Sequence, residues 1–181
     1  IEECYLQKSP SNDIRLFVKK FAEDNNYNFF NLYKAEGFLR NMIIRTSTTG
    51  DSMIIVAFLS NDQVMIKKLL DAVSEKFPEI SSVNYVINGK KNDSITDLDI
   101  IHYKGKPYIY EQMDDIKFRI GPKSFYQTNS IQAYNLYKIV KTFGDFKAND
   151  VVYDLYTGTG TIANFIARSV KKVIGVEYVE E

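Results

Sequence analysis

The stretch Val151 to Glu177, VVYDLYTGTGTIANFIARSVKKVIGVE, decides the fold of this chain. A short apolar run that ends at Asp154 predicts a buried strand, and a glycine-bearing turn follows it. A helix comes next, predicted from apolar residues at helical spacing: Ile162, Phe165 and Ile166. A second apolar run over Lys172–Val176 predicts another strand. The stretch is therefore a βαβ unit, whose two strands are parallel.

The turn of this unit has the features of a ligand site. Ligands of parallel sheets lie outside the carboxyl ends of the strands, which is where Gly158 and Gly160 fall. Glycine allows positive φ and close approach of a ligand, and the free N–H groups of the following helix carry roughly half a positive charge. Glu177 ends the second strand nineteen positions after Gly158, where an acid binds ribose hydroxyls. These features predict a nucleoside-containing cofactor.

Three interpretations of the turn are open. Gly158, Gly160 and Ala163 satisfy the G-x-G-x-x-G/A pattern of NAD-binding proteins. Dinucleotide folds, however, usually run the strand almost directly into the first glycine, whereas here four residues from Asp154 to Thr157 intervene. The longer turn with an acid at its base is similar to the first motif of S-adenosylmethionine-dependent methyltransferases, which we favour. A tight turn that binds nothing is the third interpretation, although two acids at ribose distance are more than packing requires.

Composition sets broad limits on the protein. The 181 residues are 45% hydrophobic and 14% aromatic, which suits one large globular domain or two small ones. The sequence has neither a run of eighteen apolar residues nor a signal peptide, so we expect no membrane association. Basic and acidic residues number 23 each, which excludes a global basic field but leaves room for a local patch. The single cysteine, Cys4, excludes an internal disulfide and predicts a cytoplasmic protein.

The first part of the chain predicts the order α-β-β-α-β, a small open α/β sandwich over about ninety residues. The predicted elements are a helix over Ser11–Asn25, strands over Met42–Ser47 and Met53–Leu59, a helix that ends before Pro78 and a strand over Val83–Ile87. Ser11 or Asn12 is expected to cap the first helix, and Asn61 the second. His102, the only histidine, lies between apolar residues of a later strand, so a packing role is expected for it.

The middle of the chain predicts a link and then a loop over the cofactor site. Short strands are expected over Ile100–Tyr103, Tyr108–Glu111 and Ile116–Ile120. Asn129 caps a helix whose buried stripe is predicted to be Leu136, Ile139, Val140 and Phe143, with Gly144 as its stop. The loop Ser124–Asn129 therefore precedes the βαβ unit, and its Gln127 offers an amide donor and acceptor to a polar ligand.

A basic and aromatic set in the first part of the chain suits RNA, because cations contact phosphates and rings stack on bases. Its members are Arg40, Arg45, Lys90 and Lys91, with Tyr33 and Phe38 nearby. An ordinary charged surface is the alternative. We therefore divide the chain into an RNA-facing α/β domain, residues 1–115, and the start of a Rossmann-like domain, residues 116–181, which the chain leaves incomplete.

Three segments together resemble the RNA uracil-5 methyltransferase family, whose members modify ribosomal or transfer RNA. They are S-F-Y-Q-T-N from Ser124, D-L-Y-T-G-T-G-T-I from Asp154 and V-I-G-V-E from Val173. The similarity covers most of the chain, and the combination is far more specific than any one segment. The match to bacterial forms extends to the Cys4–Gln7 and Gly37–Arg40 stretches. By this resemblance the fold is a small central α/β domain followed by a truncated Rossmann-like methyltransferase domain.

The resemblance implies S-adenosylmethionine as the cofactor and gives roles to six residues. Gln127, Tyr156 and Thr161 match cofactor contacts, Glu177 matches the acid that holds the ribose, and the backbone of Gly158 and Gly160 faces the methionine portion. Cys4 falls where many ribosomal-RNA members have the last of four cysteines that bind a four-iron iron-sulfur cluster, with its three partners upstream of Ile1; a lone buried thiol is the alternative.

The family mechanism uses residues that this chain does not contain. A cysteine thiolate adds to uracil C6, the resulting enolate takes the methyl group, and a carboxylate removes the C5 proton before the cysteine leaves. Relatives carry that cysteine and that base downstream of the position of Glu181. We therefore expect a fragment that does not methylate alone, from an enzyme acting on ribosomal rather than transfer RNA.

Two further hypotheses differ in class. A nicotinamide-dependent oxidoreductase predicts that NADH protects the intact protein from heat, whereas a non-catalytic RNA-binding module predicts that no cysteine follows downstream. The sequence does not indicate an oligomeric state.

Overall fold

The computed structural model describes residues 3–4 and 7–178, and it has an α/β fold. The contacts divide the chain into two compact units, Ile1–Ile109 and Tyr110–Glu181. No helix within the described residues has the length and apolar character needed to span a bilayer.

The first unit is built on a four-stranded sheet with the order β1-β2-β3-β4. Its elements are α1 (Ser11–Asp24), β1 (Leu39–Thr46), β2 (Ser52–Phe58), α2 (Gln63–Lys76), β3 (Ser82–Ile87) and β4 (Ile100–Gly105). β1 and β2 form the predicted antiparallel hairpin, and β4 is antiparallel to β3. β2 and β3 are parallel, so β2-α2-β3 is a second βαβ unit that the sequence did not reveal. The strand predicted over Ile100–Tyr103 belongs to this sheet rather than to a link.

The core of the first unit lies between the two helices and one face of the sheet. All seven residues of β2 are buried, and Val56 and Phe58 pack with Leu69 and Leu70 of α2. The rings of Phe17 on α1 and Phe77, just after α2, meet edge to face at 5.6 Å. Burial of each such large apolar side chain stabilises the folded state by about 1.5 to 3 kcal/mol. This burial holds α1 and α2 against the sheet.

Both predicted helix caps in this unit are wrong by one residue or more. Pro10 precedes α1, and the Ser11 hydroxyl donates to the Lys8 carbonyl at 2.8 Å instead of capping the helix. At α2 the cap is Asp62, whose carboxylate accepts from the amides of the second and third helical residues at 3.1 and 3.0 Å. A carboxylate at this position also interacts favourably with the positive end of the helix dipole, and the helix begins one residue later than predicted.

The second unit contains two two-stranded sheets. Its elements are β5 (Ile109–Met113), β6 (Ile116–Ile120), α3 (Ser130–Gly144), β7 (Val151–Leu155), α4 (Thr161–Ile166), a 3-10 turn (Ala167–Ser169) and β8 (Lys172–Val176). β5 pairs with β6, and β7 pairs with β8 in parallel register from Val151 opposite Lys172 to Leu155 opposite Val176. The predicted βαβ unit is therefore present, although three of the five residues in each of its strands are exposed instead of buried.

The buried face of α3 differs from the predicted one. Leu136, Ile139 and Phe143 are 49%, 50% and 85% exposed, whereas the buried residues are Ala133 and Tyr137. The Tyr137 ring contacts Phe165 of α4, so an aromatic residue with a polar tip covers the neighbouring helix. The spacing of apolar residues did not predict this face, because α3 carries two apolar stripes and only one of them contacts α4.

Candidate functional site

The turn between β7 and α4 contains three residues with left-handed backbone conformation. Gly158 and Gly160 have φ of 56° and 73°, and Tyr156 has φ of 61°. A non-glycine residue in this region costs roughly 1 to 2 kcal/mol, so the surrounding contacts must hold Tyr156 there. Its side chain is 90% exposed. The turn is thus shaped by its neighbours and presents an aromatic ring to solvent.

Asp154 holds the turn from the end of β7. Its Oδ2 accepts from the Thr157 hydroxyl at 2.6 Å and from the Ala163 amide at 3.0 Å. Gly160, the residue before α4, supplies no side-chain cap, so Asp154 satisfies one of the free amides of the helix from nine positions upstream. The sequence marked this residue only as the acid at the base of the motif.

Thr157 is a second residue that holds the turn, and the sequence analysis assigned it no role. Its amide donates to the Val176 carbonyl at 3.0 Å, and its carbonyl accepts from the Gly160 amide at 2.9 Å. A Cβ on Gly175 would lie 3.0 Å from Thr157 Cγ2. A side chain at position 175 would therefore push the threonine away from β8 by a few tenths of an ångström, and this pairing is recognised in the sequence only once the turn geometry is known.

Glu177 lies beside the glycine turn. Its Oε2 accepts from the Gly158 amide at 2.7 Å, and its Oε1 accepts from the Tyr178 amide at 2.9 Å. A carboxylate oxygen carries more than one lone pair and can accept more than one hydrogen bond. The Glu177 carboxylate thus joins the turn after β7 to the end of β8.

The loop before α3 runs next to the same turn. The Thr159 hydroxyl donates to the Phe125 carbonyl at 3.4 Å, and a Cβ on Gly158 would lie 3.7 Å from that oxygen. Gln127, two residues further on, is exposed. Asn129 caps α3 as predicted, accepting from the Gln132 amide at 3.1 Å. The structure thus brings the loop to the glycine turn through Phe125 and leaves the Gln127 side chain in solvent.

Buried polar groups lie beneath this loop. Glu111 on β5 is buried and accepts from the Ser130 hydroxyl at 2.8 Å, and the Tyr137 hydroxyl meets Thr161 Oγ1 at 3.1 Å. Burial, and secondarily the charge of Glu111, raises the pKa of Tyr126, so its hydroxyl stays neutral. Thr161, predicted to contact cofactor, therefore already shares its hydroxyl with α3.

The glycine turn fits an adenosine cofactor by its own chemistry. Glycine backbone with no Cβ suits the methionine chain, the Glu177 carboxylate suits the ribose hydroxyls, and the exposed Tyr156 ring suits the purine. α4 spans only six residues, so its dipole is not a sizeable attraction. The predicted attraction between the N-terminus of this helix and the cofactor is therefore small.

Cys4 carries a free, half-buried thiol. It lines a pocket of about 360 Å³ with Gln7, Ser11, Asn12 and Arg15. Within residues 3–4 and 7–178 the structure contains no cluster of three or more histidine, cysteine or acidic side chains suited to a metal ion. The described part of the chain thus gives the iron-sulfur prediction no support, and partial exposure corrects the alternative of a buried thiol.

Arg40, predicted to contact RNA, is a structural residue. Its side chain is 0% exposed, and Nη1 donates to the carbonyls of Asn88 and Lys90 at 2.6 and 2.5 Å. Nη2 donates to the Asn92 carbonyl at 3.1 Å and to Asp93 Oδ1 at 3.0 Å. A guanidinium committed to a loop in this way is not available to a phosphate.

The other basic residues predicted to contact RNA differ in exposure and in their partners. Lys90 forms an ion pair with Asp97, whereas Lys91 is exposed. Arg45 is half-buried on β1 and has an interaction of its own. His102 is exposed on β4, and its ring nitrogens lie 3.2 Å from Asn84 Oδ1 and 3.1 Å from the Gly105 carbonyl, so it has polar contacts within the sheet rather than the predicted packing role.

Comparisons with known proteins point to one class of enzyme. No family model matches the chain. An uncharacterized RNA methyltransferase of Bacteroides thetaiotaomicron is 53% identical over the whole chain, and one of Porphyromonas gingivalis is 49% identical. The chain spans about 40% of the length of these relatives.

One solved structure has the same fold over almost the whole chain. It is the tRNA (uracil-54, C5)-methyltransferase of Pyrococcus abyssi in complex with S-adenosyl-L-homocysteine. The TM-score is 0.78 at 29% identity, over 98% of this chain and 42% of that one. The Rossmann-like fold predicted for the second unit is thereby confirmed.

Proposed function

We propose that this chain is part of an S-adenosylmethionine-dependent RNA methyltransferase of the uracil-5 family. The observation that carries the proposal is the Glu177 carboxylate, which accepts from the Gly158 amide at 2.7 Å beside a turn of left-handed glycines. The identities to proteins named as RNA methyltransferases, and the likeness to a tRNA uracil methyltransferase with bound S-adenosyl-L-homocysteine, support the same function.

Six residues would hold the cofactor. Glu177 would bind the ribose hydroxyls, and the Gly158 and Gly160 backbone would face the methionine chain. Tyr156 offers an exposed ring, Thr161 a hydroxyl, and Gln127 an amide on the adjacent loop. The bound group supplies an electrophilic methyl on a sulfonium sulfur. This chain's part is to bind and orient it, because the Asp154 and Thr157 contacts fix the turn.

The substrate of the proposed enzyme is a uridine in RNA. We favour ribosomal over transfer RNA because of the resemblance to bacterial forms. The likeness to the tRNA enzyme from Pyrococcus abyssi supports transfer RNA as the alternative substrate. Methylation at C5 through a covalent cysteine adduct at C6 needs a thiol and a base that we do not assign to any residue of this chain. Cys4 is not proposed as that nucleophile. A cytoplasmic location and a four-iron cluster on Cys4 stay predictions.

A nicotinamide-dependent oxidoreductase is the second candidate. The G-x-G-x-x-A spacing favours it. The turn disfavours it, because Tyr156 and Thr157 separate the strand from the first glycine and Thr157 is held there by its bond to Asp154. Thermal protection of the intact protein by NADH, with none by S-adenosyl-L-homocysteine, would establish the oxidoreductase.

Substitution of Glu177 tests the cofactor site. In the intact protein, Glu177→Ala should weaken S-adenosyl-L-homocysteine binding about ten- to a hundredfold, because charge-assisted bonds of roughly 1.5 to 3 kcal/mol are lost. Glu177→Gln should also weaken binding, since both carboxylate oxygens accept from backbone amides and an NH₂ group cannot. Calorimetry measures both affinities.

Exposed Glu79 supplies the matched control, and Glu79→Ala should bind like the wild type. An unchanged affinity in Glu177→Ala would remove the ribose role.

A further inference from the structure

Residues 28–38, the aromatic loop, expose apolar side chains near the start of β1. Phe29 and Leu32 are 49% and 63% exposed, and Tyr33 is 100% exposed. Single exposed apolar residues are ordinary on a protein surface, but three within five positions on one loop are not explained by the packing of the first unit.

The aromatic loop is held in one conformation. Asn31 Oδ1 accepts from the amides of Tyr33 and Lys34 at 3.0 and 3.1 Å, and the Asn31 amide donates to the Glu36 carbonyl at 2.7 Å. Gly37 has φ of 115°, and a Cβ there would collide with the Phe29 backbone. A ring displayed on such a turn loses little conformational entropy when it binds a partner.

Arg40 joins this loop to a second one, residues 88–93, which we call the basic loop. Its guanidinium carbon lies 3.9 Å from the centroid of the Phe30 ring, while its nitrogens donate to carbonyls of Asn88 and Lys90 and to Asp93. One buried cation therefore contacts both loops and sets them side by side.

The two loops meet at the carboxyl edge of the parallel pair β2 and β3. The Asn88 amide donates to the Phe58 carbonyl at 2.8 Å, and the Leu59 amide donates to the Phe38 carbonyl at 2.8 Å. Both loops thus continue from strand ends at the edge where α/β sheets bind their ligands.

The charges left at this edge favour an anion. Arg40 and Lys90 are paired with Asp93 and Asp97. Among the described residues no carboxylate lies within 4.0 Å of the ammonium groups of Lys34 or Lys91, both exposed. Exposed Glu36 opposes them, so the attraction is local and modest.

We propose that the aromatic loop and the basic loop, joined by Arg40, form a surface that binds single-stranded RNA. A base stacks on Tyr33, and Lys34 and Lys91 contact flanking phosphates. This inference rests on the proposed function and replaces the predicted direct contact of Arg40 with a positioning role. A fully exposed ring on a loop with a hydrogen-bonded backbone, together with exposed lysines on the two joined loops, suits a nucleobase and its phosphates better than an apolar protein partner.

Fluorescence anisotropy of the intact protein with a labelled ten-nucleotide oligouridylate tests the stacking contact. Tyr33→Ala should weaken binding about 5- to 150-fold, since a stacked base is worth roughly 1 to 3 kcal/mol. Tyr33→Phe keeps the ring and should bind within about twofold of the wild type. Neither variant should change the salt dependence, because neither removes a charge.

The lysines give a second, independent measurement. Lys34→Ala and Lys91→Ala should each reduce the slope of log affinity against log salt by roughly 0.7, the value for one single-strand phosphate contact. Lys67→Ala, an exposed lysine of α2, is the control and should keep the wild-type slope.

Wild-type affinity in Tyr33→Ala, or equal losses in Tyr33→Ala and Tyr33→Phe, would overturn the stacking role. A protein-docking surface would give the first of these results. S-adenosyl-L-homocysteine affinity, measured in parallel, separates the two proposals. If Tyr33→Ala binds both ligands like the wild type, only this inference fails. If the wild type binds neither, the methyltransferase proposal fails as well.

Discussion

The two βαβ units of the chain both connect a pair of parallel strands through a helix, but they differ in burial and in the length of that helix. In β2-α2-β3 the first strand is buried at all seven positions, and the helix has 14 residues. In β7-α4-β8 the strand exposes alternate residues, and the helix has only six. The strands and helix of the first βαβ unit form a core, and those of the second hold a glycine turn. The parallel connection alone therefore does not predict a cofactor site.

The difference lies in how each unit satisfies the start of its helix. Asp62 caps α2 itself, and the connection from β2, residues 59–62, has no glycine. In the second unit the acid is Asp154, which reaches the Ala163 amide from the strand end. Moving the carboxylate back along the chain leaves the residues between it and the helix free to form a glycine turn.

The largest expected effect tests whether the first βαβ unit is a core. Leu69→Ala on α2 should lower the free energy of unfolding by about 2 to 5 kcal/mol, because Leu69 is fully buried and the cavity cannot close completely. Urea denaturation followed by circular dichroism measures the loss.

Val64 on the same helix is the matched control. It is 79% exposed, so Val64→Ala should change stability by less than about 0.5 kcal/mol. Equal losses at the two positions would mean that α2 does not bury its Leu69 face, and the contrast between the two units would disappear.

The next effect separates the two acids. Asp154→Ala leaves the Thr157 hydroxyl and the Ala163 amide without their acceptor, a loss of about 1 to 3 kcal/mol, and S-adenosyl-L-homocysteine affinity of the intact protein should fall about tenfold as the turn loosens. Asp62→Ala should lower stability by about 1 kcal/mol through the lost cap and leave cofactor affinity unchanged.

Paired calorimetry and denaturation on both variants give the answer. A cofactor affinity lowered equally by Asp62→Ala would show that general destabilisation, and not the turn, controls binding.

Local signals in the sequence predicted the elements well. β6 runs over Ile116–Ile120 as expected, α3 begins after its Asn129 cap, and the βαβ unit around Gly158 is present. Each of these depends on neighbours within a few positions, where spacing and capping chemistry decide the outcome.

Features that depend on distant residues were missed or misjudged. The sequence did not predict that β2 and β3 are parallel, because the apolar pattern of a strand does not show the direction of its partner. Arg40 was taken for a surface cation, yet its partners lie 48 to 53 positions away and bury it. Thr157 had no visible role until the turn set it against Gly175. Strand pairing, burial and turn packing are non-local, and a single sequence does not display them.

The smallest expected effect concerns how α2 is fastened to the first sheet. The Tyr103 hydroxyl on β4 donates to Asp71 Oδ1 on α2 at 2.5 Å, and burial, then this bond, raises the pKa of Tyr103 to about 12. Because this pKa is above the unfolded value of about 10, the contribution to stability is complete below pH 10 and is lost as pH rises through 12. Tyr103 is partly exposed, so the change is small.

Tyr103→Phe should therefore show a shallower decline of the urea midpoint between about pH 10 and 12 than the wild type. Tyr33→Phe, which removes a fully exposed hydroxyl, should follow the wild-type curve. If Tyr103→Phe follows it too, the bond to Asp71 adds nothing measurable to the stability of the first βαβ unit, and apolar packing contributes more to holding α2 than this bond implies.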